Sequence, residues 1–165
     1  MLEADRLVIY AASEDEMRRI AAEEENAHLR EAYGEMLRGS LAHPEDWGWH
    51  ALWMIVRKDG AYIGNLSFKG APENGVAELG YGIGEEYRGL GYATEAVETI
   101  LTWAFDQPGV TAVAAETEAG NAASRRVLEK CGFLPAGEGR EGPRFLRDSD
   151  SLGEPDDFGD PDPFL

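Results

Sequence analysis

Glu86-Tyr87-Arg88-Gly89-Leu90-Gly91-Tyr92-Ala93-Thr94-Glu95-Ala96 is the stretch on which the reading of this chain turns. Two glycines one residue apart let the backbone aim several N–H groups at one point, and the pattern from Tyr92 onward predicts a helix to Phe105, ended by Gln107-Pro108-Gly109. A helix start beside such a turn is an anion site, because its first N–H groups lack partners and carry the positive end of the helix dipole. Arg88 adds a fixed cation, so the ligand this suits is a pyrophosphate. No Gly-Lys-Ser/Thr follows, which excludes a P-loop, and the Gly-x-Gly-x-x-Gly dinucleotide fingerprint is incomplete.

Upstream, Val76 to Ile83 reads as a strand that places Glu78, Gly80 and Gly82 on one face. Glycine weakens a strand and marks a place where another backbone approaches closely, so this strand is built to receive something. Before it, His50 to Arg57 and Ala61 to Lys69 are strand-like runs joined by Lys58-Asp59-Gly60, a hairpin signal. Arg6 to Ala11 is a β-prone run, and Ser13-Glu14-Asp15-Glu16 has the spacing of a capping box that opens a helix. A second helix is expected from near Asn26 to Arg38, stopped by Gly39-Ser40. Downstream come a strand over Thr111 to Thr117, a helix over Asn121 to Lys130 closed by Gly132, and two short strands, Phe133 to Glu138 and Pro143 to Arg147. Hairpins followed by β-α-β units imply an α/β (α+β) domain: one mixed, mostly antiparallel sheet of about seven strands flanked by about four helices. The domain is expected over residues 1–147, with 148–165 as an acidic, disordered tail rich in Asp, Gly and Pro.

The formal net charge of −17 disfavours nucleic acid and anionic membrane surfaces and favours cationic small molecules or basic peptides. No apolar run approaches the ~20 residues of a bilayer span, and the start of the chain lacks a signal-peptide core. Cys131 is the sole cysteine, which fits a reducing, cytoplasmic setting and rules out an intrachain disulfide. It reads as a small buried hydrophobe at a helix end. His28, His43 and His50 have no spacing that suggests a metal site. Trp47, Trp49 and Trp53 serve either as core or as the aromatic wall of a cation pocket. Exposed sheet edges allow a monomer or a homodimer.

A second block agrees with the glycine turn. Arg88-Gly89-Leu90-Gly91-Tyr92-Ala93 and Asn121-Ala122-Ala123-Ser124-Arg125-Arg126-Val127-Leu128-Glu129-Lys130-Cys131-Gly132-Phe133 resemble, in order and separation, the two signatures of the GNAT superfamily of acyl-CoA N-acyltransferases. The flanking residues are similar to its ribosomal-protein N-terminal acetyltransferase-like branch. The resemblance implies a splay in mid-sheet that admits the pantetheine arm of acetyl-CoA, for which Gly80 and Gly82 leave room. It implies that Tyr81, Gly82 and Ile83 pair with that arm, that Arg88, Gly89, Leu90, Gly91, Tyr92, Ala93 and Thr94 hold the pyrophosphate, and that Asn121 and Ser124 face the cofactor. Fixing the thioester beside an attacking amine is catalysis mainly by positioning, and a backbone N–H near Tyr81 would stabilise the oxyanion.

Direct attack needs a neutral amine, whereas an alkylamine with a pKa near ~10.4 is mostly protonated at neutral pH. Glu78 is the candidate base and Glu116, on the neighbouring strand, the alternate. Many members of the family carry a tyrosine near the end of the second block that protonates the departing thiolate; here that position is Leu128. The implied activity is acetyl transfer from acetyl-CoA to a primary amine, on a small cationic metabolite or a peptide N-terminus, without a metal. The missing tyrosine leaves a second reading open, a non-catalytic acyl-CoA-binding module.

Overall fold

A computed structural model of the protein describes residues 1–149. In chain order the elements are β1 (Leu2–Glu3), β2 (Leu7–Ala11), α1 (Glu14–Glu23), α2 (Ala27–Ala42), α3 (Trp47–His50), β3 (Trp53–Arg57), β4 (Tyr62–Phe68), β5 (Val76–Ile83), α4 (Tyr92–Phe105), β6 (Ala112–Glu116), α5 (Ala122–Lys130), β7 (Leu134–Glu138) and β8 (Pro143–Asp148). One sheet holds all eight strands in the order β1-β2-β3-β4-β5-β6-β8-β7. Every pairing is antiparallel except β5 with β6.

Period-two alternation sends Leu7 and Ile9 of β2, Trp53 and Ile55 of β3, Leu66 and Phe68 of β4, and Ala77 and Leu79 of β5 to one face. There they pack against Ala96, Val97 and Ile100 of α4, against Leu128 of α5, and against Phe133. Each large side chain so buried contributes roughly 1.5–3 kcal/mol. On the other face a smaller cluster joins Ala12 and Leu52 to Met17 of α1 and Leu37 of α2. That pair of helices therefore roofs mainly the β2–β3 side of the sheet.

Helix α1 opens with the capping box its sequence announces, Ser13 Oγ accepting from the Glu16 N–H and Glu16 Oε1 from the Ser13 N–H. Helix α2 runs past the expected stop. Ser40 is buried and returns its hydroxyl to the Met36 carbonyl at 2.8 Å, and Gly39 leaves room for the His50 ring, so packing overrides two weak helix formers. The chain turns at His43, whose N–H caps the carbonyls of Gly39 and Ser40. The strand expected from His50 begins at Trp53, because Trp47 to His50 form one helical turn that seats Trp49 against Phe68 and Trp103, each at 4.8 Å between ring centroids. With the two-residue β1 this raises the count among the described residues to eight strands and five helices. Strand β8 takes in Asp148, and the expected disorder of the tail falls on residues outside the described ones.

The site depends on one irregularity. Strands β5 and β6 pair only through Val76–Leu79 and Ala112–Ala115. Beyond Leu79, Gly80 to Ile83 stay paired with β4, while Glu116 ends β6 paired with β8. The two parallel strands part at Gly80, and the edge of β5 facing the gap is left without a strand partner.

Candidate active site

Two left-handed glycines shape the turn between β5 and α4, Gly89 at φ 77° and Gly91 at φ 85°. A side chain at either position would be strained. Gly91 is also the N-cap of α4, so no side chain occupies the helix start and its first N–H groups stay open. Arg88 is tied back by its Nε to the Ile83 carbonyl at 3.1 Å, which holds its guanidinium at the mouth of the splay.

An arginine remote in sequence holds the turn from behind. Arg6 donates from its N–H and Nε to the Glu95 carboxylate at 2.7 and 2.8 Å, and from a terminal nitrogen to the Leu90 carbonyl at 2.9 Å. Its guanidinium lies 4.4 Å from the centroid of the Tyr92 ring, and the Tyr92 hydroxyl accepts from Arg57 at 3.3 Å. Backbone, ring and helix start are thus braced as one unit.

The splay opens onto a cleft of about 670 Å³ between β5, the glycine turn and α5. Tyr81, Gly82, Ile83, Arg88, Gly89, Gly91, Tyr92, Ala93, Thr94, Asn121 and Ser124 all line it. Of the positions expected to meet a cofactor, Leu90 stands outside: its carbonyl takes Arg6 and its side chain is exposed. Tyr87, Ala122, Ala123, Arg126, Val127 and Lys130 complete the lining. Arg126 and Lys130 sit four residues apart on one face of α5, a spacing readable in the sequence but not singled out there.

Within the cleft the Tyr81 hydroxyl meets Ser124 Oγ at 2.9 Å and lies 3.2 Å from the Ser124 carbonyl. Burial raises the Tyr81 pKa, so the phenol holds its proton at neutral pH. Asn121 caps α5, its Oδ1 accepting from the Ser124 N–H at 3.0 Å. Leu128 is fully buried in the core and presents nothing to the cleft. Cys131 is buried too, which pushes its thiol up to about 12. It is no nucleophile.

Glu78 points to the sheet face opposite the cleft, two residues before the splay. Its carboxylate lies 3.1 Å from Lys69 Nζ and 3.6 Å from Arg144, with the side chain a quarter exposed. Glu116 belongs to the same network but is committed to it. It accepts from the Glu141 N–H at 3.0 Å and from Arg144 at 2.9 Å, with its side chain 6% exposed. The Glu141 hydrogen bond, followed by Arg144, holds its carboxyl below the usual glutamate range. A carboxylate so satisfied is a poor proton acceptor, and the geometry favours Glu78. The tryptophans do not form an acceptor wall: Trp49 and Trp53 pack on Trp103 in the core, and Trp47 donates its indole N–H to the Ala12 carbonyl. Among the described residues no cluster of three His, Cys, Asp or Glu could hold a metal, and no helix is long and apolar enough to cross a membrane.

A mixed sheet splayed beside a two-glycine helix start is the architecture of the GNAT acyltransferases. Residues 2–134 match the family described as acetyltransferase (GNAT) domain, and the chain belongs to that family. Over 84 residues it is 37% identical to the uncharacterized N-acetyltransferase YjdG of Bacillus subtilis (strain 168), an alignment covering 50% of this chain and 50% of that protein. The chain thus spans about half the length of such curated relatives. Among solved structures it is similar to the ribosomal-protein-S5-alanine acetyltransferase of Vibrio fischeri, with a TM-score of 0.71, 18% identity, and coverage of 92% of this chain and 98% of that one. It is also similar to a dodecameric spermidine N-acetyltransferase of Vibrio cholerae, with a TM-score of 0.69, 17% identity, and coverage of 90% and 96%. At such identities these two likenesses speak to the fold alone.

Proposed function

We propose that this protein transfers the acetyl group of acetyl-CoA to a primary amine by direct attack. The observation that carries the reading is the parting of β5 from β6 at Gly80, opening onto a cleft lined by the glycine turn, Asn121 and Ser124. The cradle fits the donor: a Cβ added at Gly89, which lines the cleft, would meet nothing within 4 Å, so this glycine leaves space rather than fills it. When bound, acetyl-CoA supplies a thioester whose carbonyl is the electrophile. The turn from Arg88 to Thr94 holds its pyrophosphate, Asn121 its amide arm, and the free edge of Gly80 to Ile83 pairs with that arm as a partial strand. A backbone N–H near Tyr81 faces the developing oxyanion.

Glu78 takes the proton of the attacking amine, through water where the acceptor does not reach it directly. The Tyr81–Ser124 hydroxyl pair returns a proton to the departing sulfur, a role that Leu128 cannot fill. Acidity suits a cationic metabolite or a basic peptide N-terminus, and the names of the solved relatives carry spermidine and a ribosomal-protein alanine. The setting is cytoplasmic, supported by the single buried cysteine, and the assembly is a monomer or homodimer. The domain ends near residue 147 and the acidic segment follows it.

The buried Leu128 gives one specific reason for a rival, a module that binds acyl-CoA without turnover. Calorimetric titration with acetyl-CoA decides the shared part. Tight binding that weakens about tenfold in Arg88→Ala is expected for loss of one charge-assisted phosphate contact. Absence of binding by the folded wild type overturns both readings. An amine panel followed by free-thiol release then separates them, since the rival binds the donor but releases no thiol above the uncatalysed rate.

A further inference from the structure

The sheet face opposite the cleft carries a track of residues that starts bare at Gly80 and Gly82 and ends at a cluster of three tyrosines beside α1 and α2. Register defines it. Gly82 of β5 is paired with Asn65 of β4, Asn65 with Met54 of β3, and Met54 with Tyr10 of β2, so these four residues form one row across the sheet on the face of Glu78. Three strand spacings put the ends of the row on the order of 14 Å apart. The row begins bare: a Cβ at Gly82 would touch nothing within 4 Å, and one at Gly80 would meet only Ser67 Oγ at 4.0 Å.

At its far end three phenols converge from three elements. Asn65 donates to the Tyr62 hydroxyl at 3.0 Å, Tyr33 of α2 sits against both Asn65 and Tyr62, and the Tyr10 hydroxyl donates to Glu16 of α1 at 2.9 Å. Glu24 adds a second carboxylate near Tyr33, and Arg19 is a cation near Tyr10 and Glu16. The set is net acidic, rich in ring faces and hydroxyl oxygens, and Tyr62 is half exposed to an incoming group. Aromatic rings with a nearby carboxylate are a receptor for an ammonium group.

We infer that the acceptor is a linear diamine: its reacting amine lies at Gly80–Gly82 below Glu78, its chain runs over Met54 and Asn65, and its far ammonium seats among Tyr10, Tyr33, Tyr62 and Glu16. The inference rests on the acetyl-transfer reading and adds to it a length and a second charge. At about 1.2 Å per bond, the track takes a chain on the order of ten bonds.

The test is thiol release from acetyl-CoA with α,ω-diamines of about four to about twelve carbons, each beside the monoamine of the same length. The wild type is expected to prefer the longer diamines over matched monoamines by roughly tenfold in kcat/KM, and short diamines by little. Glu16→Gln keeps the capping box, which accepts glutamine, while removing the charge, and it is expected to collapse that ratio toward one. Tyr62→Ala, at a half-exposed site, is expected to reduce the ratio as well, and calorimetry with acetyl-CoA reports that the donor site of each variant is intact. A ratio near one at every length, a ratio untouched by both variants, or preference for peptides over all diamines overturns the inference while leaving acetyl transfer standing. Failure of the wild type to bind acetyl-CoA overturns the acetyl-transfer reading itself.

Discussion

The two faces of the sheet at the splay are made of different material. The cleft side is built largely from backbone: two left-handed glycines, the open start of α4 and the free edge of β5, stiffened from behind by Arg6. The opposite side is built from side-chain charge, with Lys69 and Arg144 shared among Glu78, Glu116 and Glu141. Backbone N–H groups are fixed donors that do not titrate, which suits binding of a ligand whose phosphates stay anionic across the physiological range. Charged side chains respond to pH and to a bound cation, which suits moving a proton and selecting an amine. Substitutions of the glycine turn and its brace should therefore separate from those of the charged network: affinity for the donor on one side, amine deprotonation and acid stability on the other.

The largest effect that separation predicts is at Glu78. Glu78→Gln is expected to lower kcat by about 100-fold, the ordinary worth of a general base, while the calorimetric affinity for acetyl-CoA stays within twofold. A parallel loss of donor affinity would break the division between faces, because Glu78 does not line the cleft. Next in size is Arg6→Ala, which touches no ligand but releases Leu90 and Glu95 together. The expected result is a fall in acetyl-CoA affinity of about fivefold to tenfold, as an unbraced turn must be ordered on binding. Acetyl-pantetheine, which lacks the pyrophosphate, should bind both forms alike. An equal loss for both ligands would make Arg6 a general structural residue rather than one that positions the turn.

How far each face could be read from the sequence follows the same physics. The glycine turn, the Asn121 block and the Ser13 capping box are short-range patterns, and each is where the residues place it, with Leu90 as the exception because its carbonyl faces Arg6 rather than the cleft. The brace between Arg6 and Glu95 spans 89 residues and the contact of Lys69 with Glu141 spans 72, so neither leaves a local signature. Helix α2 outran its Gly39-Ser40 stop because tertiary packing against His50 outweighs local propensity. Glu78 and Glu116 are indistinguishable as strand glutamates until their partners are known, and those partners are remote in sequence: Arg144 of β8 and the turn before it, and for Glu78 also Lys69 just after β4.

That contrast between the two glutamates yields the smallest and most specific effect. Glu116 accepts the Glu141 N–H and pairs with Arg144 where little water reaches it, and its folded pKa is depressed. A carboxyl with a depressed folded pKa binds its proton more readily in the unfolded chain. Its contribution to stability is full above the ordinary glutamate range, near pH ~4.3, and is lost as pH falls through the lower folded value. Glu116→Gln keeps an acceptor for the Glu141 N–H but loses the charge facing Arg144, so it should cost about 1 kcal/mol at neutral pH. Because glutamine does not titrate, the two proteins should converge in stability on acidification, their denaturant midpoints drawing together below pH ~4. The matched Glu78→Gln variant removes a more exposed carboxylate with longer contacts, and should cost less stability at neutral pH. A stability cost of equal size in both would mean that the two carboxylates act as one shared charge, and that the assignment of structural work to Glu116 and proton transfer to Glu78 does not hold.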